Sequence, residues 1–454
     1  MEQKRPNIPS QGIKTPPNMS APRVQTPPNT SPQNGQTQGR TPSERGLQQR
    51  MTQAADARQK RQAQAMAERV APQGGGVPTF VQGGVDHWFL CLILLLLAFG
   101  AVMSYTASAV YAERYYDDST YFLKRYLLFA LLSVAMTLPF VVYAKLWFWR
   151  LFALCSYGAS ILLLIMVLIP GIGDTGGGAQ RWIDLGFITI QPSEVAKMAV
   201  VMMLALYLSK HERQVLSTEK FGGSFKYGVI HPGLIFGAVC ILVALEKHIS
   251  GLLIIGMLGV AVMFMGGTRM RYIFMIIGCV ACLGGLMILV SDYAQTRVDT
   301  WLHLEQADPL GPAWQTLEGL YAIGSGGLFG RGLGNSQLKY GYVSEPQNDF
   351  IFTIICEELG FVGALILVSL FALLMVRGFY IAAHAPDKFT SLVAFGLTFK
   401  VALQAAMNVA VVTNSMPNTG ISLPFFSSGG TSLAVQIFEM GIILSISRFS
   451  TVKK

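Results

Sequence analysis

Acidic side chains beside apolar sequence open the chemistry of this chain. Residues 344–363 read SEPQNDFIFTIICEELGFVG, with Asp349 at the doorstep of an apolar segment and Glu357 and Glu358 inside it. A carboxylate at a half-dry surface can have a raised pKa and work as a general base. Asp is equally a preferred helix N-cap, and the residues alone leave both roles open for Asp349. Further charges fall within apolar runs: Glu194, Lys197, Lys400 and Glu439. Each costs roughly 2.5–3.5 kcal/mol near a bilayer centre, so these groups must pair or line a hydrated cavity. Glu194 and Lys197 are three residues apart and would meet on one helix, as an internal ion pair that braces a bundle. Lys400, Gln404 and Asn408 recur every fourth residue as one polar stripe, suited either to joining helices or to walling a substrate passage.

The elements that must hold these groups are membrane helices. The 454 residues are 52% hydrophobic and 13% charged, with mean hydropathy +0.45, against roughly 25% charged in soluble domains. Ten runs are candidate spans: 88–111, 121–143, 147–170, 191–209, 228–245, 249–267, 271–291, 350–376, 389–412 and 431–447. Only Glu246, Lys247 and His248 separate the fifth from the sixth, so nine is the merged count. The runs do not alternate in polarity, which excludes a barrel. The expected class is an all-α polytopic membrane protein. With both termini inside, 24 Lys and Arg residues fall on the cytoplasmic side and six on the outer side, the bias of an N-in, C-in topology.

Residues 1–86 carry 11 basic and 5 acidic side chains and are rich in Pro, Gln, Thr and Ser. They read as a disordered basic cytoplasmic tail ahead of a membrane domain at 87–450. The net charge of +9 therefore reflects tail and topology and does not indicate nucleic-acid binding. Thr-Pro and Ser-Pro pairs make the tail a candidate docking or regulatory segment. The six cysteines lie in apolar runs without CxxC spacing and are expected to be small buried residues. Three outer loops are unusual: 171–190, 413–430 and a 58-residue loop at 292–349 between helices 7 and 8. Long loops are usually functional, so the site is expected on the outer face. Within the largest, 321–337 (YAIGSGGLFGRGLGNSQ) carries too many glycines for a stable helix interior and is expected to form tight turns.

Four stretches then resemble a known family. IQPSEVAK (190–197), AIGSGGLFGRGLG (322–334), EPQNDFIFTIICEELGFVG (345–363) and PNTGISLPFFSSGG (417–430) are similar, in order and wording, to motifs of the shape, elongation, division and sporulation (SEDS) peptidoglycan polymerases, with the FtsW or sporulation branch fitting better than RodA. The departures are Asn348 for the usual Thr, Ser344 for Pro, Ser428 for Tyr, and Lys247-His248 for Pro-Asp. The resemblance implies a glycosyltransferase that polymerises lipid II at the outer face of the bacterial cytoplasmic membrane. It implies Asp349 as the catalytic Asp, acting as general base, and a class B penicillin-binding protein as partner, with other divisome or elongation proteins docking, through the tail among other routes. Arg181, Lys339, Glu345, Lys400, Gln404 and Ser427 become substrate-binding candidates; Gln191, Glu194, Lys197, Glu357 and Glu358 are assigned to the bundle and its cavity. Arg181 and Lys339 are the expected contacts of the pyrophosphate leaving group, with a divalent cation (Mg or Mn) at the acidic loop as the alternative. The rival readings are a flippase for a lipid-linked precursor and a catalytically idle scaffold.

Overall fold

The computed structural model describes residues 83–171, 173–174, 180–186, 189–217, 223–290, 292–308, 311, 313–342, 348–426 and 430–449. Residues 1–82 of the tail, and with them its expected disorder and docking role, lie outside these, as do Glu345 and Ser427. Thr79–Lys454 forms one compact unit.

The chain runs through α1 (His87–Tyr116), α2 (Tyr121–Tyr143) and α3 (Leu146–Val167), then an antiparallel three-stranded ribbon. Its strands β1 (Gly173–Asp174), β2 (Trp182–Asp184) and β3 (Thr189–Ile190) pair in register Gly173–Ile183–Ile190. There follow α4 (Pro192–Lys210), α5 (His231–Leu245, entered through a π-turn at Lys226–Ile230), α6 (Ile249–Met265) and α7 (Met270–Val290). Two further helices, α8 (Asp292–Leu302) and α9 (Trp314–Gly326), precede α10 (Ile351–Ala383), α11 (Lys388–Val412) and α12 (Gly430–Ser447).

Among the described residues eight helices are long and apolar enough to cross a membrane, and α6 and the first half of α7 are shorter apolar helices. These occupy the ten expected runs, with α5 and α6 separate on either side of Glu246–His248. The chain is an all-helical, multi-pass membrane protein. The helices sort into two classes by how much they bury. In α4, α11 and α12, 67–72% of the apolar window is buried, against 39% or less in α1, α2, α3, α5 and α10. The central three carry Glu194, Lys197, Lys400 and Glu439, because the centre of the bundle is where counter-charges are within reach. The cysteines sort the same way. Cys356 is buried, but Cys91, Cys155, Cys279 and Cys282 are exposed on outward faces, where a thiol is as compatible with hydrocarbon as with a core.

Two expectations for the outer region are corrected. The glycine-rich segment is not all turn, since α9 runs helically through Gly319, Gly324 and Gly326. A Cβ at Gly326 would overlap the carbonyl oxygen of Cys356, and one at Gly319 would sit 3.0 Å from the Phe350 ring. Those two glycines serve close helix packing, which outweighs their propensity cost of about 1 kcal/mol each. The second correction concerns 350–376. That span is broken at Gly360 (φ 69°, ψ −167°) into an outer piece and a longer apolar piece from residue 361 to 383. A Cβ there would overlap the amide nitrogen of Gly330, and the positive φ also favours glycine. Glu357 and Glu358 precede the break, so they belong to the outer layer rather than to the bilayer-crossing segment.

Candidate functional site

Asp349 lies one residue before Phe350, the N-cap of α10, whose own side chain makes no cap hydrogen bond. Asp349 thus stands just outside the helix end rather than at the N-cap position itself. Asp349 is half-buried, and its main chain is held firmly. Asn408 Nδ2 donates to the carbonyl of Asp349 at 2.8 Å and to that of Ile421 at 2.7 Å. Gly420, at φ +65°, lets the loop pass so close that a Cβ would stand 3.1 Å from the Asp349 carboxylate. Phe350 and Ile351 are buried, and Thr353 Oγ1 donates to the Phe350 carbonyl at 2.6 Å. A reactive carboxylate thus sits on a rigid main chain at the outer end of a helix.

Beneath Asn408 the polar stripe descends through Gln404 to Lys400, all three buried. Lys400 Nζ lies 2.6 Å from Glu439 and 3.5 Å from Glu194, which in turn lies 2.5 Å from Lys197. Two acids and two amines form one neutral network across α4, α11 and α12. Gln191, the N-cap residue of α4, precedes Pro192, and Glu194 occupies the first turn, where Pro is preorganised and an acid complements the helix dipole.

The turn between α5 and α6 closes another side of this region. Arg181 Nη2, from the ribbon, donates to the Lys247 carbonyl at 2.7 Å. Glu246 and His248 are buried, and neither Glu246 oxygen nor His248 Nδ1 finds a hydrogen-bond partner among the described residues. Burial pushes the Glu246 carboxyl up to about 8, against the pull of Arg181. Burial also holds the His248 imidazole down to about 3, helped by the positive charges of Lys197 and Arg181. Both groups are neutral near pH 7. Ser250 Oγ donates to the Thr419 carbonyl, which joins this turn to the loop carrying Gly420. The sequence signal for it was the charged triplet 246–248 between two apolar runs.

Glu357 and Glu358 do different work. Ser336 Oγ donates to Glu357 at 2.5 Å, the Gln337 and Leu338 amides donate at 2.9 and 3.4 Å, and Arg331 stands at 3.3 Å. Lys339 is buried, 3.4 Å from Glu358, and also donates to the Gly334 carbonyl. Backbone bonds seal the same contact: Arg331 N to Glu357 O at 2.9 Å, and Phe361 N to Gly327 O at 2.9 Å. The two glutamates clamp the glycine-rich segment over the α10 break. Of the two cations expected at a pyrophosphate, the structure engages Lys339 in this clamp and leaves Arg181 beside the buried turn.

The family model for FtsW, RodA and SpoVE, described as a cell cycle protein, matches residues 86–452. The chain belongs to this family. It is 38% identical over 367 residues to stage V sporulation protein E of Bacillus subtilis, covering 80% of this chain and 97% of that one. It is 36% identical over 371 residues to a probable peptidoglycan glycosyltransferase FtsW of Trichlorobacter lovleyi, covering 80% and 93%. A solved structure of a peptidoglycan synthase complex that coordinates polymerization and crosslinking contains a chain 26% identical to this one, with TM-score 0.67 over 80% of this chain and 98% of that chain. The motifs quoted from the sequence all fall within the matched region.

Proposed function

We propose that Asp349 is the general base of a peptidoglycan glycosyltransferase that polymerises lipid II at the outer face of the cytoplasmic membrane. Membership of the FtsW, RodA and SpoVE family, with relatives named as peptidoglycan glycosyltransferases, supports the activity. The observation that carries the residue is the half-buried carboxylate just outside the helix start, on a main chain anchored by Asn408. Asp349 takes the proton from the 4-hydroxyl of the acceptor sugar. That oxygen attacks the anomeric carbon of the donor, polyprenyl pyrophosphate departs, and the configuration inverts. Arg181 is the cation assigned to meet the growing negative charge, with a divalent ion, Mg or Mn, as its alternative. Glu345 and Ser427 remain candidates on the substrate side, with Lys400 and Gln404 along the buried stripe. A crosslinking enzyme, a class B penicillin-binding protein, is the proposed partner, extending to this chain what the solved synthase complex is described as coordinating.

Asp349→Asn in purified protein tests the role. Asn retains the shape but cannot accept the proton, so glycan formation from lipid II in detergent should fall by roughly 10²–10⁴-fold with unchanged thermal stability. Polymerisation at the wild-type rate would refute the assignment. Activity in detergent, where there are no two sides to cross, also separates polymerisation from flipping.

A further inference from the structure

One cavity on the outer face, lined by hydroxyl, amide, guanidinium and indole side chains, is not accounted for by this mechanism. It has a volume of about 310 Å³ and lies between α8, the start of α9 and the segment 414–418. That is the lower end of the range for small-ligand sites, about 300–1,000 Å³. One wall is a single helical face of α8, with Thr296, Arg297, Thr300 and Trp301 at positions i, i+1, i+4 and i+5. Asn414 and Asn418 help to form the opposite wall.

The walls are tied to each other. Trp301 Nε1 donates to the Asn414 carbonyl at 2.9 Å, and Arg297 donates to the Asn418 carbonyl. The indole is therefore fixed before any ligand arrives, which lowers the ordering cost of binding.

We propose that this cavity is a second saccharide subsite, holding a sugar of the growing glycan strand one or two residues from the bond being made. The reasoning rests on the glycosyltransferase reading, and the chemistry of the lining narrows the occupant. Amides and hydroxyls both donate and accept, as sugar hydroxyls and acetamido groups require. An indole offers a broad apolar surface with little conformational freedom to lose. Arg297 is the one charged group in the lining, so a sugar carboxylate is favoured and an ammonium group disfavoured. The position fits as well. Asn418 is two residues, at most ~7 Å of chain, before Gly420, against which the Asp349 carboxylate rests, so the cavity and the reacting centre share one loop.

The probe is a soluble, lipid-free hexasaccharide of peptidoglycan glycan, titrated calorimetrically into the purified full-length protein in detergent. Saturable binding is expected in wild type and in Asp349→Asn, with Trp301→Ala at least tenfold weaker and Trp301→Phe close to wild type. Product strands made by Trp301→Ala should shorten several-fold, more than lipid II consumption falls. If Trp301→Ala fails to fold, Thr300→Trp, which fills the cavity from the helix surface and keeps the Trp301 hydrogen bond, should show the same losses. Absence of hexasaccharide binding to wild type, or equal binding by the folded cavity variants, would overturn the subsite. An active Asp349→Asn would overturn the base assignment alone, because oligosaccharide binding does not depend on proton transfer.

Discussion

Two clusters of buried charge each join segments from before and after Asp349 in sequence, and they are built on different principles. Around Glu357 the carboxylate meets a hydroxyl, two backbone amides and a guanidinium. Around Lys400 the charges meet only each other, and neighbouring polar atoms (Gln404 Oε1, Asn408 Oδ1, Glu439 Oε2 and both oxygens of Glu246) find no partner among the described protein groups. Buried polar atoms are normally satisfied. Within the clamp Glu358 Oε2 alone, among the described atoms, is likewise without a partner. The clamp is therefore mostly saturated, as a structural joint is, and the Lys400 region is the one we propose to lie beside the substrate.

The largest effect that would test this contrast is loss of a single charge from the network. Lys400→Met should leave a surplus buried carboxylate and cost about 3–5 kcal/mol, seen as loss of folded protein. The double variant Lys400→Met with Glu439→Gln should recover folding, and if it did not, charge balance would not be the organising feature. Next comes a pH effect at the turn. Glu246 is raised to about 8 in the folded state from 4.5, so between those values the unfolded chain gives up a proton that the folded chain keeps. Stability should therefore fall as pH rises from about 5 to 8, and Glu246→Gln should flatten that slope in a thermal-melt series. The third test concerns the clamp. Glu357→Ala orphans buried donors at about 1–3 kcal/mol each, which should appear as faster amide exchange confined to residues 326–342 if the cluster is a local joint. Smallest in stability is Asn408→Ala, which leaves the Asp349 and Ile421 carbonyls without their side-chain donor and should cost about 1–3 kcal/mol, while slowing polymerisation roughly 10- to 100-fold by loosening the Asp349 main chain.

Much of this was legible in the sequence for a definite reason. Apolar runs long enough to span a bilayer have few alternative fates, so the ten runs appear as ten apolar helices. Short-range charge spacing was legible too: Glu194 and Lys197 sit on one helical face and meet. What sequence could not supply was contact at long separation. Glu439 lies 39 residues from Lys400, and nothing local links them. Ser336 caps Glu357 from another segment. The glycine rule misjudged α9 because propensity describes an isolated helix, whereas Gly319 and Gly326 are fixed by what packs upon them. The acid at 349 was legible as a candidate, but its place just outside the N-cap depends on a helix start one residue further along.

The break at Gly360 also bears on how this protein tolerates different membranes. Unbroken, the 33 residues of α10 would form a rod of ~50 Å, far longer than a ~30 Å hydrocarbon core. Divided, the 23 residues from 361 to 383 measure ~35 Å and suffice to cross with modest tilt. Thickening or thinning of the bilayer then changes the lean of the inner rod. The outer piece, pinned by the glycine-rich clamp and Asn408, keeps its bearing, and Asp349 stays at one height above the lipid whatever the composition of the membrane.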